Sequence, residues 1–211
     1  YAGVNPANGN DQFWMNIYDD DADGNRVVVD RVLTESTSDI SGDEQKKYLG
    51  SSIPDVFGGF TNTFQIGGVD LSVMLYYSIG GLMYDTDYSQ MAAYRQGFQL
   101  HPDLLNAWTP QNTGSSIPRI NRNTVDVFST KYLFDNTFLR LRNVTLGYTF
   151  PKRWMNRVGI DVLRLYVQGD NLLTFGQAVK RGTDPEQSVA GTTGNRFPNT
   201  KNVSFGVQIT L

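Results

Sequence analysis

The last ten residues of the sequence alternate strictly between apolar side chains and small or polar ones. Successive side chains of an extended strand point to opposite faces, so this alternation separates the two kinds completely. The apolar set is Val203, Phe205, Val207, Ile209 and Leu211, and the other set is Ser204, Gly206, Gln208 and Thr210. A soluble β-sandwich would bury the apolar side, whereas a transmembrane barrel would turn it to lipid and turn the polar side to a wet lumen.

Four further strands are predicted at residues 56–66, 69–80, 138–150 and 160–172, and the last three show the same period of two. The glycine pair at 67–68 predicts a tight hairpin between the first two. The start of the 138–150 segment is irregular, because Arg140 and Arg142 share the parity of its apolar positions. We interpret that start either as lying above a membrane or as preceding a β-bulge. An earlier hairpin is predicted at 12–18 and 26–33.

The connections between these strands alternate between short and long. Residues 67–68 and 151–159 are short, whereas 81–137 and 173–200 are long. Transmembrane barrels keep short turns on the periplasmic side and long loops on the extracellular side. Aromatic side chains near the strand ends suit the aromatic girdle of such a barrel; they are Tyr76, Tyr77, Tyr148, Phe150 and Trp154.

These patterns predict an all-β fold, an antiparallel transmembrane β-barrel segment. Residues 1–55 are expected to form an extracellular loop region with a hairpin, and residues 56–211 the barrel strands with their long extracellular loops. Short helices are predicted inside the first long loop, at 88–98 and 102–108. Five strands, or seven with the hairpin, are fewer than the eight of the smallest barrels. We therefore expect the chain to be the C-terminal part of a larger barrel.

Composition narrows the classes of protein. The net charge is −3, which gives no basic footprint for nucleic acid, and the absence of cysteine excludes disulfides and thiolate metal sites. Aromatic residues make up 12% of the chain and 21 residues are glycine, a mixture that favours strands and tight turns. No run of 18 or more apolar residues occurs, so the sequence offers no transmembrane helix.

Several stretches together resemble SusC/RagA-type TonB-dependent outer-membrane transporters, in their C-terminal barrel segment. The most specific are FLRLRNVTLGYTFP at 138–151 and LRLYVQGDNLLTF at 163–175. Shorter matches are LGSSIP at 49–54, FGGF at 57–60, SIGG at 78–81, LNAWTP at 105–110, PR at 118–119, GTDPE at 182–186 and FPNT at 197–200. Their order and spacing cover nearly the whole chain.

This resemblance implies a barrel of about 22 strands that imports an oligomeric nutrient, an oligosaccharide or a peptide. It also implies capture of the substrate with a SusD-like surface lipoprotein. Energy would arrive from TonB through a plug that lies outside these residues, in the remaining N-terminal part of the same barrel. The long loops would contact substrate or partner, and the chain would carry no catalytic residue and require no cofactor.

An acidic turn is the sharpest local motif. Oxygen ligands at positions 1, 3, 5 and 12 with glycine at position 6 are typical of a calcium loop. Asp19, Asp21, Asp23 and Asp30 occupy those ligand positions, and Gly24 occupies the sixth. The flanks are strands and position 12 is not glutamate, so a hairpin turn without metal is the alternative, because aspartate and glycine favour turns by themselves.

Other candidate residues are weighed against structural roles. Tyr84, Asp85, Asp87 and Tyr88 are predicted to line a substrate-binding mouth, because aromatic faces stack on sugars; tyrosines that only pack the loop are the alternative. The single histidine, His101, precedes Pro102 at a predicted helix start and is expected to cap it.

Three arginines on the predicted strands are candidates for lumen-facing charges. They are Arg140, Arg142 and Arg164, and local ion pairing is the alternative.

Two other classes of protein are alternatives to the transporter. The first is a self-contained soluble or surface β-module that binds glycans. An outer-membrane enzyme would need a nucleophile and a base together, and no such motif accompanies the lone histidine.

Overall fold

The computed structural model describes residues 1–93, 97, 99–121, 127–186, 190–194 and 196–211. Its strands, in chain order, are β1 Gly3–Val4, β2 Asp11–Asp20, β3 Arg26–Thr34, β4 Val56–Ile66, β5 Val69–Ile79, β6 Leu82–Tyr84, β7 Leu133–Asp135, β8 Phe138–Thr149, β9 Val162–Gly176 and β10 Asn202–Thr210. Its α-helices are α1 Thr86–Ala92, α2 Lys152–Met155 and α3 Gln177–Lys180. Among the elements described, no helix combines the length and the apolar character needed to cross a membrane.

Internal contacts divide the chain into two units. One unit comprises residues 1–50 and 84–133, and the other comprises residues 51–83 and 134–211. The first contains a three-stranded sheet in the order β1-β2-β3, which includes the predicted hairpin. The predicted helix at 102–108 is a 3₁₀ helix at Pro102–Asn106. The predicted helix at 88–98 begins earlier, at Thr86, and residues 94–96 and 98 of that prediction lie outside the described residues.

The second unit is built on a five-stranded antiparallel sheet in the order β10-β9-β8-β5-β4. All five strands fall on segments that were predicted as strands, and β9 extends past the predicted end to Gly176. Its strands contain between 9 and 15 residues, enough for the 9–11 residues that a tilted strand needs to span a bilayer. The short β6 and β7 pair with each other in a separate sheet.

One face of the five-stranded sheet is apolar and exposed. The register aligns Phe64, Leu71, Leu146, Val167 and Phe205 across all five strands. Exposure reaches 80% at Ile66 and 83% at Phe205. The buried apolar side chains of this unit lie elsewhere: Met83, Phe134 and Ala178 form a small cluster. A soluble protein would cover an apolar surface of this extent.

The opposite face is polar, and a β-bulge keeps it so along β8. Against β5 the register skips Arg142 between Leu141 and Asn143, which leaves Arg142 as the extra residue. Against β9, Arg142 lies opposite two residues, Asn171 and Leu172. After the bulge the apolar positions of β8 are even-numbered, from Val144 to Tyr148. Before it they are odd-numbered, namely Leu139 and Leu141. Arg140 therefore shares the polar face, paired with Tyr76 and Thr174. The bulge interpretation of the irregular sequence is confirmed, whereas the extracellular placement of residues 1–55, 81–137 and 173–200 stays a prediction.

Candidate functional site

The polar face carries a charged pair across three strands. Arg164 on β9 donates from Nε and Nη2 to the two carboxylate oxygens of Asp70 on β5, at 2.9 and 2.5 Å. Gly147 on the intervening β8 makes this possible, because a Cβ there would overlap both partners. A planar guanidinium that holds a carboxylate with two parallel bonds is rigid as well as charged. The structure thus bears out the alternative given for Arg164, a local ion pair, and its lumen-facing role stays a prediction.

A second group of polar side chains lies two residue pairs further along the sheet. Asp170 accepts from the Asn143 amide at 2.7 Å and from the Gln168 amide at 3.2 Å. Thr145 in turn donates to the Asn143 carbonyl oxygen at 3.1 Å. These side chains are half-buried and their hydrogen bonds fix their orientation. The face is therefore a preorganised surface of amides, hydroxyls and one carboxylate, the groups that bind a polar solute.

The segment that contains the GTDPE motif is anchored to this face at Arg140. The Arg140 side chain is 2% exposed, and it contacts Asp184 Oδ1 at 2.6 Å and Glu186 Oε2 at 3.0 Å. Asp184 Oδ2 also accepts from the Asn199 backbone N–H at 2.9 Å. Arg142, which is 44% exposed, reaches the other oxygen of Glu186 at 3.1 Å. One buried arginine therefore ties two parts of the 173–200 connection to strand β8.

A cavity of about 290 Å³ opens beside this anchor, within the second unit. Its polar lining consists of Arg140, Asn171, Thr174, Asp184, Asn199 and Lys201. Arg140 Nε is buried and has no hydrogen-bond partner among the described residues. The cavity is thus lined by cationic, anionic and neutral polar side chains, where the 173–200 connection meets the sheet.

The predicted substrate-binding residues of the first long loop lie close together at the start of α1. Asp85 is buried and caps the helix, since its Oδ1 accepts from the Tyr88 backbone N–H at 3.0 Å. The Tyr88 hydroxyl donates to Asp103 Oδ2 at 2.8 Å. Asp87 lies in the first turn of the helix and is half-buried. The segment is thus held by its own contacts, and its role in binding substrate stays a prediction.

An aromatic cluster surrounds the same segment. Tyr84 stacks on Phe128 with ring centroids 4.3 Å apart and meets the edge of Tyr132 at 6.0 Å. Tyr84 is buried, whereas Phe128 is 75% exposed. The exposed aromatic face in this cluster therefore belongs to Phe128, a residue that sequence reasoning did not single out. The signal available in the sequence was only its hydrophobicity within a polar loop.

His101 takes the capping role predicted for it. It is the N-cap residue of the 3₁₀ helix at Pro102–Asn106, and its Nδ1 accepts from the Asp103 backbone N–H at 3.2 Å. Its ring meets the edge of Tyr88 at 4.6 Å between centroids. The histidine therefore links the 3₁₀ helix to α1.

The acidic turn is organised by hydrogen bonds of its own. Asp21 Oδ1 accepts from the backbone N–H groups of Asp23 and Asn25, at 3.0 and 2.8 Å. The bond from Asn25 is the main reason why the pKa of Asp21 lies below its ordinary value. Asp19 accepts from the neighbouring Asp20 N–H, and Asp30 lies on β3 opposite Ile17. Within the described residues no three His, Cys, Asp or Glu side chains are grouped to hold a metal ion, and calcium binding stays a prediction.

Glu35 forms a cluster that sequence reasoning missed. Its carboxylate accepts from the side-chain amides of Asn5, Asn8 and Asn10, at 2.5, 3.0 and 2.7 Å. These hydrogen bonds, that from Asn10 first, hold the pKa of Glu35 below its usual range. The three asparagines lie within six consecutive residues of the sequence, but nothing in their spacing indicates a glutamate some 25 residues away.

Comparisons with known proteins agree with this geometry. The chain is 28% identical to TonB-dependent receptor P3 of Formosa agariphila over 200 residues, which are 90% of the chain and 18% of the receptor. It is 29% identical to TonB-dependent receptor P26 of the same organism over 175 residues, 77% of the chain and 18% of that receptor. No protein-family model matches the chain.

Solved structures give the same result. The structure of the RagAB peptide transporter superposes with a TM-score of 0.80 and 27% identity, over 99% of this chain and 22% of that one. The RagAB peptide importer in its open-open state gives a TM-score of 0.76 and 25% identity, over 100% of this chain and 22% of that one. The chain spans about a fifth of the length of these relatives, which are receptors and transporters by name. The resemblance to SusC/RagA-type TonB-dependent outer-membrane transporters that the sequence motifs indicated is thereby confirmed.

Proposed function

We propose that this chain forms part of the wall of a TonB-dependent nutrient importer in the bacterial outer membrane. The observation that carries the proposal is the five-stranded sheet, whose exposed face is apolar and whose other face bears paired charges and hydrogen-bonded amides. That arrangement suits lipid on one side and an aqueous passage on the other. The strands are long enough to cross a bilayer, and the structural relatives are transporters.

The two edges of the sheet support closure with further strands. Among the described residues β4 pairs only with β5, and β10 pairs only with β9. Unpaired backbone groups at an edge are too costly to leave in hydrocarbon, so a membrane-spanning sheet must close on itself. We propose that the remaining N-terminal part of the barrel supplies those strands, up to a total of about 22. The chain would then be the C-terminal part of the transporter.

The proposed partners follow from the same assignment. TonB would supply energy through a plug domain carried by the rest of the protein, and a SusD-like surface lipoprotein would close over the long connections. The structural relatives are named as RagAB peptide transporters, which supports an assembly of this kind. The wall itself would perform no bond-breaking chemistry, so its residues act by binding and orienting a passing solute.

The substrate we propose is an oligomeric nutrient, an oligosaccharide or a peptide. Tyr84, Asp85, Asp87 and Tyr88 are proposed to support its contact in the first long connection, with Phe128 offering the exposed aromatic face. The amides and carboxylates of the polar face would hydrogen-bond a sugar or a peptide equally well. Calcium at Asp19, Asp21, Asp23 and Asp30 would be an accessory to this role.

The test uses the intact transporter expressed in its own membrane. We expect it to require detergent for extraction, to copurify with a surface lipoprotein, and to be needed for uptake of a labelled oligosaccharide or peptide pool. A protonophore that removes the energy supply of TonB should abolish that uptake. Comparing the two pools decides the substrate class. A protein that is extracted without detergent and travels alone would instead be the glycan-binding module.

A further inference from the structure

The turn between β8 and β9 lies at the end of the sheet that carries the short connections. The Thr149 backbone N–H donates to the carbonyl of Gly68 in the β4–β5 hairpin, at 2.7 Å. At the other side of the turn, the Asp161 N–H donates to the carbonyl of Thr210 at the end of β10, at 2.9 Å. Residues 151–161, called here the basic turn, are therefore fixed against the same rim as three other strands.

The basic turn concentrates positive charge in a chain whose net charge is −3. Lys152, Arg153 and Arg157 are exposed, and the turn has one acidic residue, Asp161, at its end. None of the three makes an ion pair with a described residue; the nearby Arg164 by contrast is paired with Asp70. Three unpaired cations on one short turn attract an anionic surface within a Debye length of about 8–10 Å.

The same turn also exposes apolar side chains. Trp154 is 47% exposed and Val158 is 65% exposed. The Arg153 guanidinium lies 5.7 Å from the centre of the Trp154 ring. Tryptophan is favoured where apolar and aqueous phases meet, because its ring is apolar and its N–H can be hydrated. Cations and an indole side by side are the composition of a surface that rests on lipid headgroups.

A shallow groove lies on the apolar face near the same rim of the sheet. It encloses about 380 Å³. Its apolar lining is Val69, Leu146, Tyr148, Leu165, Val167 and Phe205. Tyr148 pairs with Leu165 in the register, and the next pair, Thr149 with Arg164, is the last before the turn. One residue pair therefore separates the groove from the end of β8, beyond which the turn carries the cations.

We propose that the basic turn and this groove together bind an anionic phospholipid. The phosphate contacts Lys152, Arg153 and Arg157, and one acyl chain lies in the groove. This inference rests on the proposed function, in which the short connections face the periplasmic leaflet. Charge complementarity selects the anionic lipid over a zwitterionic one, because basic residues near an anionic membrane surface each strengthen binding about fivefold.

The experiment measures lipid retention by the intact, detergent-purified transporter. Phosphatidylglycerol and phosphatidylethanolamine are titrated separately, and bound lipid is counted by native mass spectrometry. We expect the Lys152→Gln, Arg153→Gln, Arg157→Gln triple variant to lose phosphatidylglycerol affinity on the order of 100-fold. Its weak phosphatidylethanolamine binding should stay nearly unchanged. Shortening the acyl chains should weaken binding to the unmodified protein, because the groove is then less filled.

Two control variants separate the turn from general effects of charge and folding. Arg31→Gln, Lys47→Gln and Lys180→Gln remove three exposed cations elsewhere and should leave retention unchanged. Lys152→Arg, Arg153→Lys and Arg157→Lys keep the charge of the turn and should restore it. Equal loss in both charge-removing variants, or no loss in either, overturns the proposal. A protein that needs no detergent would overturn the proposed function instead.

Discussion

Two carboxylates, Asp184 and Glu35, each hold a loop in place by accepting hydrogen bonds from donors that are distant in the sequence. Asp184 accepts from Arg140 and from the Asn199 backbone, and Glu35 accepts from three asparagine amides. The difference between them is burial. The Arg140–Asp184 pair is nearly inaccessible to water, so removing one partner leaves a buried charge uncompensated, whereas the amides around Glu35 are neutral.

Replacing Arg140 by methionine should release the 182–186 segment. Breaking a buried ion pair by removing one partner destabilises by about 3–5 kcal/mol, because the remaining carboxylate stays buried. We expect hydrogen exchange of the Glu186 and Asn199 amides, both bonded to Asp184, to accelerate strongly in the intact transporter. Arg142→Met is the matched control, since Arg142 is 44% exposed and its loss should change exchange little. Equal effects from the two variants would contradict the anchoring role of Arg140.

Acid should loosen the asparagine cluster through Glu35. Its pKa is lower in the folded state than its ordinary value of 4.5, so the unfolded segment binds the proton more tightly. The stabilisation is therefore complete above pH 4.5 and is lost as the pH falls through the lowered pKa. We expect protection of the 5–10 backbone amides to decline over that range, and Glu35→Gln to remove the decline. Glu44→Gln, at an exposed position of the same unit, should keep it.

At the scale of the strand, the two faces of the sheet differ in what they tolerate. Leu146 and Thr145 are neighbours on β8, yet Leu146 belongs to the exposed apolar face and Thr145 to the hydrogen-bonded polar face. Leu146→Arg should destabilise the membrane-embedded protein by up to about 2–4 kcal/mol, the cost of an arginine on a lipid-facing position at the midplane, which falls towards the rim. Thr145→Arg should be nearly neutral, because Asp170 lies close by.

Denaturant unfolding of the intact transporter in lipid vesicles measures both changes. A similar loss from the two substitutions would mean that both faces meet the same medium, which would contradict the barrel-wall assignment. A larger loss from Thr145→Arg would mean that the polar face is the packed one, as in a soluble sandwich.

The strands themselves could be predicted because alternation of apolar and polar side chains is a local signal. Alternation predicted β5, β8, β9 and β10, whereas β4 was predicted beside the glycine pair at 67–68 and the earlier hairpin was predicted with its acidic turn. The bulge at Arg142 could only be stated as one of two interpretations, since its confirmation requires the register with β5 and β9. The start of α1 was predicted two residues late. Its cap is Asp85, and an aspartate in the sequence does not distinguish a helix cap from a turn, because it is common in both.

At the scale of the whole molecule, the sequence indicated the family and the fold class but not how the loops are held. The first unit joins residues 1–50 to residues 84–133, and no periodic pattern connects segments so far apart. The clusters around Glu35 and Arg140 depend on such distant contacts. The candidate segment Tyr84–Tyr88 was recognisable by composition, whereas the exposure of Phe128 beside it depends on which ring is buried in the fold.

The bulge at Arg142 takes up one residue that the alternation of β8 does not need. Deleting Arg142 would join Leu141 to Asn143, and both would keep their present partners, Leu75 and Met74, so the other side chains of β8 would keep their faces. Arg140 would stay beside Asp184, and the contact between Arg142 and Glu186 would be lost. The loss of one residue is therefore tolerated at this position, whereas a straight strand that kept Arg142 would turn Arg140 towards the apolar face.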